Sequence, residues 1–138
     1  IATEEAAKHM VPGTHGTTYG GNPLAMAAGI AVFDRISDPE FLENVRDTSN
    51  KFRQSLAGLQ DEFPDLIEDV RGKGLLVGLK MKVTGDNLVA KNKALDHKLM
   101  VGTAGDNVLR MAPPLIIGET EMREAMDKLR AVFTEMRD

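Results

Sequence analysis

"LIEDVRGKGLLVGLKMKV", residues 66–83, is where the hydrophobic pattern of this chain changes period. Before Pro64 the apolar residues recur every three or four positions. From Leu66 onward they come in short runs of Val, Ile and Leu, interrupted by Gly72 and Gly74. Apolar runs punctuated by glycine read as strands, so the stretch predicts two neighbouring strands of one sheet. The class of the fold then depends on what lies to either side.

On the N-terminal side, Asp38 and Pro39 give a cap followed by a proline suited to the first helical position. Leu42, Val45, Phe52, Leu56 and Leu59 follow at helical spacing, with polar Ser49 interrupting the stripe, and predict a long amphipathic helix over 39–62. On the C-terminal side, Leu88, Val89, Leu95 and Leu99 predict a helix near 86–98. "LMVGTAG" and "NVLRMAPPL" then predict two more short strands around a glycine-rich turn, ended by Pro113 and Pro114. A last helix carries Met122, Ala125, Met126, Leu129, Val132, Phe133 and Met136 on one stripe, with Gly118 at its cap and Glu119 and Glu121 at the positive end of its dipole. From about residue 37 the expected fold is therefore α+β, with helices covering a small sheet.

Residues 1–36 fit that unit poorly. Asn22 and Pro23 again give a cap and a first helical residue, and predict a helix over 23–36. Its alanines and Gly29 suit close packing against something larger. The chain opens on Ile1, and "IATEEAAKHM" reads as the end of an element already under way, so a fragment is expected.

Composition narrows the classes of function. A chain of 138 residues with a net charge of −4 and interspersed charges lacks the clustered Lys and Arg that nucleic-acid binding needs. With no cysteine there is no disulfide framework, thiolate metal site or catalytic thiol, and the cytoplasm is the expected compartment. No apolar run approaches the roughly 20 residues that span a bilayer. "RGKGLLVG" has its glycines at 72, 74 and 78, out of step with a dinucleotide fingerprint, and it precedes a strand where that motif opens a helix. His9, His15 and His97 lack metal-ligand spacing. Lys73 and Lys80, in or beside the sheet, are expected to reach towards solvent rather than act as nucleophiles.

Two places remain. In "HGTTYGGNPLA", residues 15–25, glycines beside a capped helix start expose backbone N–H groups and the threonines add hydroxyl donors. The stretch reads either as an ordinary glycine-rich turn with an N-cap or as a cradle for a phosphate. In "NVLRMAPPL" strand alternation separates Arg110 from Leu109 and Met111. Arg110 reads either as a solvated arginine at a strand end or as a fork that holds a carboxylate.

Taken together and in this order, "HGTTYGGNPLA", "VRGKGLLVGL" and "GDNVLRMAPPLII" resemble the C-terminal part of the class III, pyridoxal-phosphate-dependent aminotransferases, most of all the branch acting on N-acetylornithine. The resemblance runs from Thr3 to the final helix. It implies a fold-type I enzyme, with residues 1–36 as the tail of the large coenzyme domain and its connecting helix. Residues 37–138 would then be the small C-terminal domain, an α/β sandwich of helices on a mostly antiparallel sheet. By the same resemblance Thr18 donates to the coenzyme phosphate of the neighbouring subunit in a homodimer, Thr17 contacts substrate, and Arg110 binds the substrate α-carboxylate. The Schiff-base lysine would belong upstream of residue 1, so this chain alone would be inactive. The implied reaction moves the terminal amino group of N-acetylornithine to 2-oxoglutarate. Ornithine and 4-aminobutyrate are alternative donors within the class, and a non-catalytic ligand-binding or regulatory module is the alternative outside it.

Overall fold

The computed structural model describes residues 2–137. The chain divides into two compact units, Ile1–Asp38 and Pro39–Asp138.

In the first unit a short helix, α1 (Glu4–Ala7), is capped by the Thr3 side chain, which accepts from the Ala6 N–H. The second helix, α2 (Pro23–Ile36), starts where the sequence predicts. Asn22 caps it by accepting from the Ala25 N–H at 2.9 Å, and the missing N–H of Pro23 falls where no intrahelical partner exists. No residue of α2 is buried. Leu24, Met26, Ile30, Val32 and Phe33 are all exposed, so the helix is apolar around most of its circumference.

The second unit is built of α3 (Pro39–Glu62), β1 (Ile67–Lys73), β2 (Leu76–Met81), α4 (Asp86–Asp96), β3 (Gly102–Ala104), β4 (Val108–Met111) and α5 (Glu119–Arg137). The four strands form one antiparallel sheet in the order β1-β2-β4-β3. Strand alternation divides its residues cleanly. Val77, Leu79, Met81, Leu109 and Met111 point into a core shared with Phe52, Leu56 and Leu59 of α3 and Met126, Leu129, Val132 and Phe133 of α5. Phe63 and Phe133 pack with ring centroids 5.6 Å apart. The α5 stripe is the one the spacing predicts.

Three details differ from the expectation. The buried stripe of α3 begins at Phe41, with Leu42 exposed, because positions 41, 45, 49, 52, 56 and 59 keep the helical phase that 42 leaves. Ser49 belongs to that stripe: it is buried, and its hydroxyl donates to the Gly74 carbonyl at 2.8 Å. With Arg53 donating to the Gly72 carbonyl at 2.7 Å, it pins α3 to the β1–β2 turn.

The third difference is in α4. Of the four residues that predict it, Leu88, Val89 and Leu95 face outward and only Leu99, beyond the helix end, packs against the core; Asn87, Ala90 and Ala94 are the buried residues of the helix. Small residues let the backbone of α4 approach the sheet and α5 closely, and the larger apolar side chains are left on the other side. The glycines also divide more finely than expected. Gly72 lies within β1 at φ +120°, and the reversal between the strands falls after it, with Gly74 at φ +59°.

Candidate functional site

Thr17 and Thr18 belong to the first unit. Thr17 begins a tight turn in which its carbonyl accepts from the Gly20 N–H at 3.4 Å. A side chain at Gly20 would press on Thr17 Cγ2 at 2.5 Å, so glycine lets the threonine fold back over the turn. Gly21 follows at φ +71°, a conformation that glycine enters without strain. Asn22 then holds the turn to the helix: its Nδ2 donates to the Tyr19 carbonyl at 2.7 Å while its Oδ1 caps α2. The hydroxyls of Thr17 and Thr18 are exposed and make no hydrogen bond among the described residues. Two hydroxyls on a braced turn, at the positive end of a 14-residue helix, form a donor set that suits an anion.

Arg110 belongs to the second unit and lies on the sheet face opposite the core. The strand register places Arg71, Gly78, Arg110 and Gly102 in one row across β1, β2, β4 and β3. Glycine therefore flanks Arg110 on both sides. The guanidinium lies along Gly102, where an added Cβ would come within 3.3 Å of Nη2 and 3.4 Å of Nε. No side chain intrudes from either neighbouring strand position. Arg110 is exposed and makes no hydrogen bond or ion pair among the described residues.

The other arginine in the row behaves differently. Arg71 donates to Asp69 at 3.1 Å and to Asp106 at 2.9 Å. The next row on the same face, Asp69, Lys80, Val108 and Ala104, holds Lys80, whose ammonium lies 2.5 Å from both the backbone carbonyl and a carboxylate oxygen of Asp106. The Lys80 ammonium, followed by the Arg71 guanidinium, holds the Asp106 carboxyl below its ordinary 3.8. Lys80 does not reach towards solvent as its place in the sheet predicts: its side chain is only 14% exposed and is committed to this pair.

Asp106 and Asn107 form the turn between β3 and β4 at φ +61° and +55°, the left-handed region that Asp and Asn tolerate best among residues with a side chain. Nothing in the apolar pattern of the strands singles out Asn107. Its signal was there in the Gly-Asp-Asn run of residues 105–107, which is strong turn chemistry. Among the described residues no cluster of His, Asp or Glu could hold a metal ion, and no helix is long and apolar enough to cross a membrane.

Known proteins match nearly all of this sequence. The sequence model of the family described as "Aminotransferase class-III" matches residues 1–133. The chain belongs to the class III aminotransferases. This is a pyridoxal-phosphate-dependent family, and an exposed, unbonded threonine hydroxyl such as that of Thr18 is a donor from which a phosphate oxygen can accept. The chain is 50% identical over 136 residues to an acetylornithine aminotransferase of Agrobacterium fabrum, covering 99% of this chain and 34% of that protein. It is 48% identical over 132 residues to one from Mesorhizobium japonicum, covering 95% of this chain and 32% of that protein.

Solved structures agree with the family assignment. The acetylornithine aminotransferase of Elizabethkingia anophelis superimposes with a TM-score of 0.77 at 30% identity, over 98% of this chain and 36% of that one. The N-acetylornithine aminotransferase of Stenotrophomonas maltophilia gives 0.79 at 31% identity, over 86% of this chain and 33% of that one. The α+β arrangement of this class III chain is thus that of the aminotransferases themselves. The chain spans about a third of the length of the curated relatives it matches.

Proposed function

We propose that this chain is the C-terminal part of an N-acetylornithine aminotransferase. The observation that carries the chemistry is the unpaired Arg110 guanidinium, set between Gly78 and Gly102 on an open sheet face. The names of relatives near 50% identity support the choice of substrate. On this reading residues 1–36 are the end of a large coenzyme-binding domain and residues 37–138 are the small domain. The complete protein works as a cytoplasmic homodimer with shared active sites.

Arg110 holds a substrate α-carboxylate through its two-pronged fork, in a row that glycine keeps clear of competing side chains. Fixing the carboxylate fixes the distance from it to the reacting carbon, so Arg110 acts by orientation. Thr17 lies beside the bound substrate. Thr18 donates its hydroxyl to the coenzyme phosphate of the neighbouring subunit, with the N-terminus of α2 adding a favourable field. Pyridoxal phosphate supplies the electron sink and carries the amino group between the two substrates. The donor N-acetylornithine leaves as N-acetylglutamate semialdehyde, and 2-oxoglutarate leaves as glutamate. Both substrates carry an α-carboxylate, and both pass through one site in turn.

Thr18→Val keeps the shape of the side chain and removes its hydroxyl. A hydrogen bond to a charged group contributes about 1.5–3 kcal/mol, so coenzyme Kd in the full-length protein should rise about ten- to hundredfold. Equilibrium dialysis against pyridoxal phosphate measures this, and an unchanged Kd would remove Thr18 from the phosphate site.

A further inference from the structure

We propose that Asn107 is the positioning residue for Arg110, an inference that rests on the reading of Arg110 as the carboxylate-binding group. Arg110 sits on a strand of four residues, paired at four positions with β2 and at three with β3. So short a ladder has few hydrogen bonds of its own to hold its register. The register matters absolutely, because a slip of one residue would turn Arg110 into the core face. Beyond Met111 the chain runs into Pro113 and Pro114, which have no N–H to offer a ladder. Leu109 and Met111 in the core set which face Arg110 takes, and the start of the strand is where side-chain bonds add to them.

Asn107 is the residue just before it, and one amide side chain does the fixing. Its Nδ2 donates to the Met81 carbonyl at 2.9 Å and to the Val83 carbonyl at 2.7 Å. Its Oδ1 accepts from the Gly85 N–H at 3.2 Å and the Asn87 N–H at 3.3 Å. Both donors and both lone pairs of the amide are used. Its backbone carbonyl also accepts from the Met81 N–H at 3.0 Å. Asn107 thus ties the start of β4 to the end of β2 and to the first turn of α4, three residues before Arg110 in the chain. Asp106, clamped by Lys80 and Arg71, holds the same turn from the open face.

The test uses the full-length protein and three variants. Asn107→Gly keeps a residue at ease at φ +55° and removes only the side-chain bonds. Arg110→Ala identifies the half-reaction that depends on the carboxylate contact. Ser49→Ala loses a buried hydrogen bond remote from β4 and serves as the control for general loosening. In Asn107→Gly, KM for the substrate that Arg110→Ala weakens should rise about tenfold with kcat held within about twofold, because a displaced guanidinium loses binding geometry while the reacting groups are untouched. Ser49→Ala should lower thermal stability and leave that KM alone. Should Asn107→Gly not accumulate, Asn107→Asp, which keeps the acceptor for Gly85 and Asn87 but turns a carboxylate oxygen towards the Met81 and Val83 carbonyls, should show a KM rise of the same kind and at least the same size.

Outcomes separate the two claims. An effect in Arg110→Ala with no KM change in the Asn107 variants overturns the positioning role alone, as does an equal KM rise in Ser49→Ala. No effect of Arg110→Ala in either half-reaction overturns the carboxylate reading, and the positioning role falls with it.

Discussion

Replacing Arg110 by alanine in the full-length protein is expected to lower kcat/KM by about a hundredfold or more in one or both half-reactions, since two charge-assisted hydrogen bonds contribute about 1.5–3 kcal/mol each. Stability should hardly change. Arg110 is exposed, its guanidinium has no partner among the described residues, and its loss leaves no buried group unsatisfied. That combination of a large kinetic effect and a small structural one distinguishes a substrate-binding arginine from one that supports the fold. Arg137 illustrates the opposite case: it pairs with Asp65, donates to the Glu62 carbonyl at 2.9 Å and lies 4.4 Å from the Phe63 ring centroid. Arg110→Lys keeps the charge but loses the planar fork, so it should recover only part of the activity. Stopped-flow measurement of each half-reaction reads these values, and unchanged efficiency in both would contradict the role.

Gly72→Ala is expected to be the most damaging glycine replacement in the sheet, destabilising the second unit by on the order of 3 kcal/mol or more, against about 1 kcal/mol for Gly74→Ala. Both glycines have positive φ, but the +59° of Gly74 lies in the left-handed region that other residues enter at modest cost, whereas the +120° of Gly72 lies outside it. Space separates them further. A Cβ at Gly72 would overlap the Leu76 carbonyl oxygen and come 2.8 Å from Val77 Cα, all backbone of the adjoining strand, whereas a Cβ at Gly74 meets nothing within 4 Å. The overlap can be relieved only by parting β1 from β2, and the Gly72 carbonyl that Arg53 holds would move with it. Urea denaturation of the chain followed by far-ultraviolet circular dichroism measures the difference. Equal costs at the two positions would mean that the close approach is not a constraint.

Much of this architecture is legible in the residues because each signal is local. Asn22 with Pro23, the change of period after Pro64, and the Met and Phe stripe of α5 place their elements without reference to the rest of the chain. What fails is the choice of face in α4. Leu88, Val89 and Leu95 are the conspicuous apolar residues, but the space between sheet and α5 admits only the small side chains of Ala90 and Ala94. Hydrophobicity ranks residues by what they gain from burial, and steric fit decides which of them enter.

The site divides in the same way. Arg110 stands out because strand alternation isolates a charge from its apolar neighbours. Asn107 does not, since its partners lie 20 to 26 residues away and become visible only when β2, α4 and β4 are brought together. The structure also redefines Lys80, which one aspartate in that same turn turns from a free ammonium into a strut.

The most direct measurement is the visible absorbance of the coenzyme in the purified full-length protein, before and after addition of N-acetylornithine with no oxo acid present. The expected result is a coenzyme band that bleaches with N-acetylornithine, more readily than with ornithine or 4-aminobutyrate, and that returns when 2-oxoglutarate is added. A protein that takes up no pyridoxal phosphate, or a band that N-acetylornithine leaves unchanged, would contradict it.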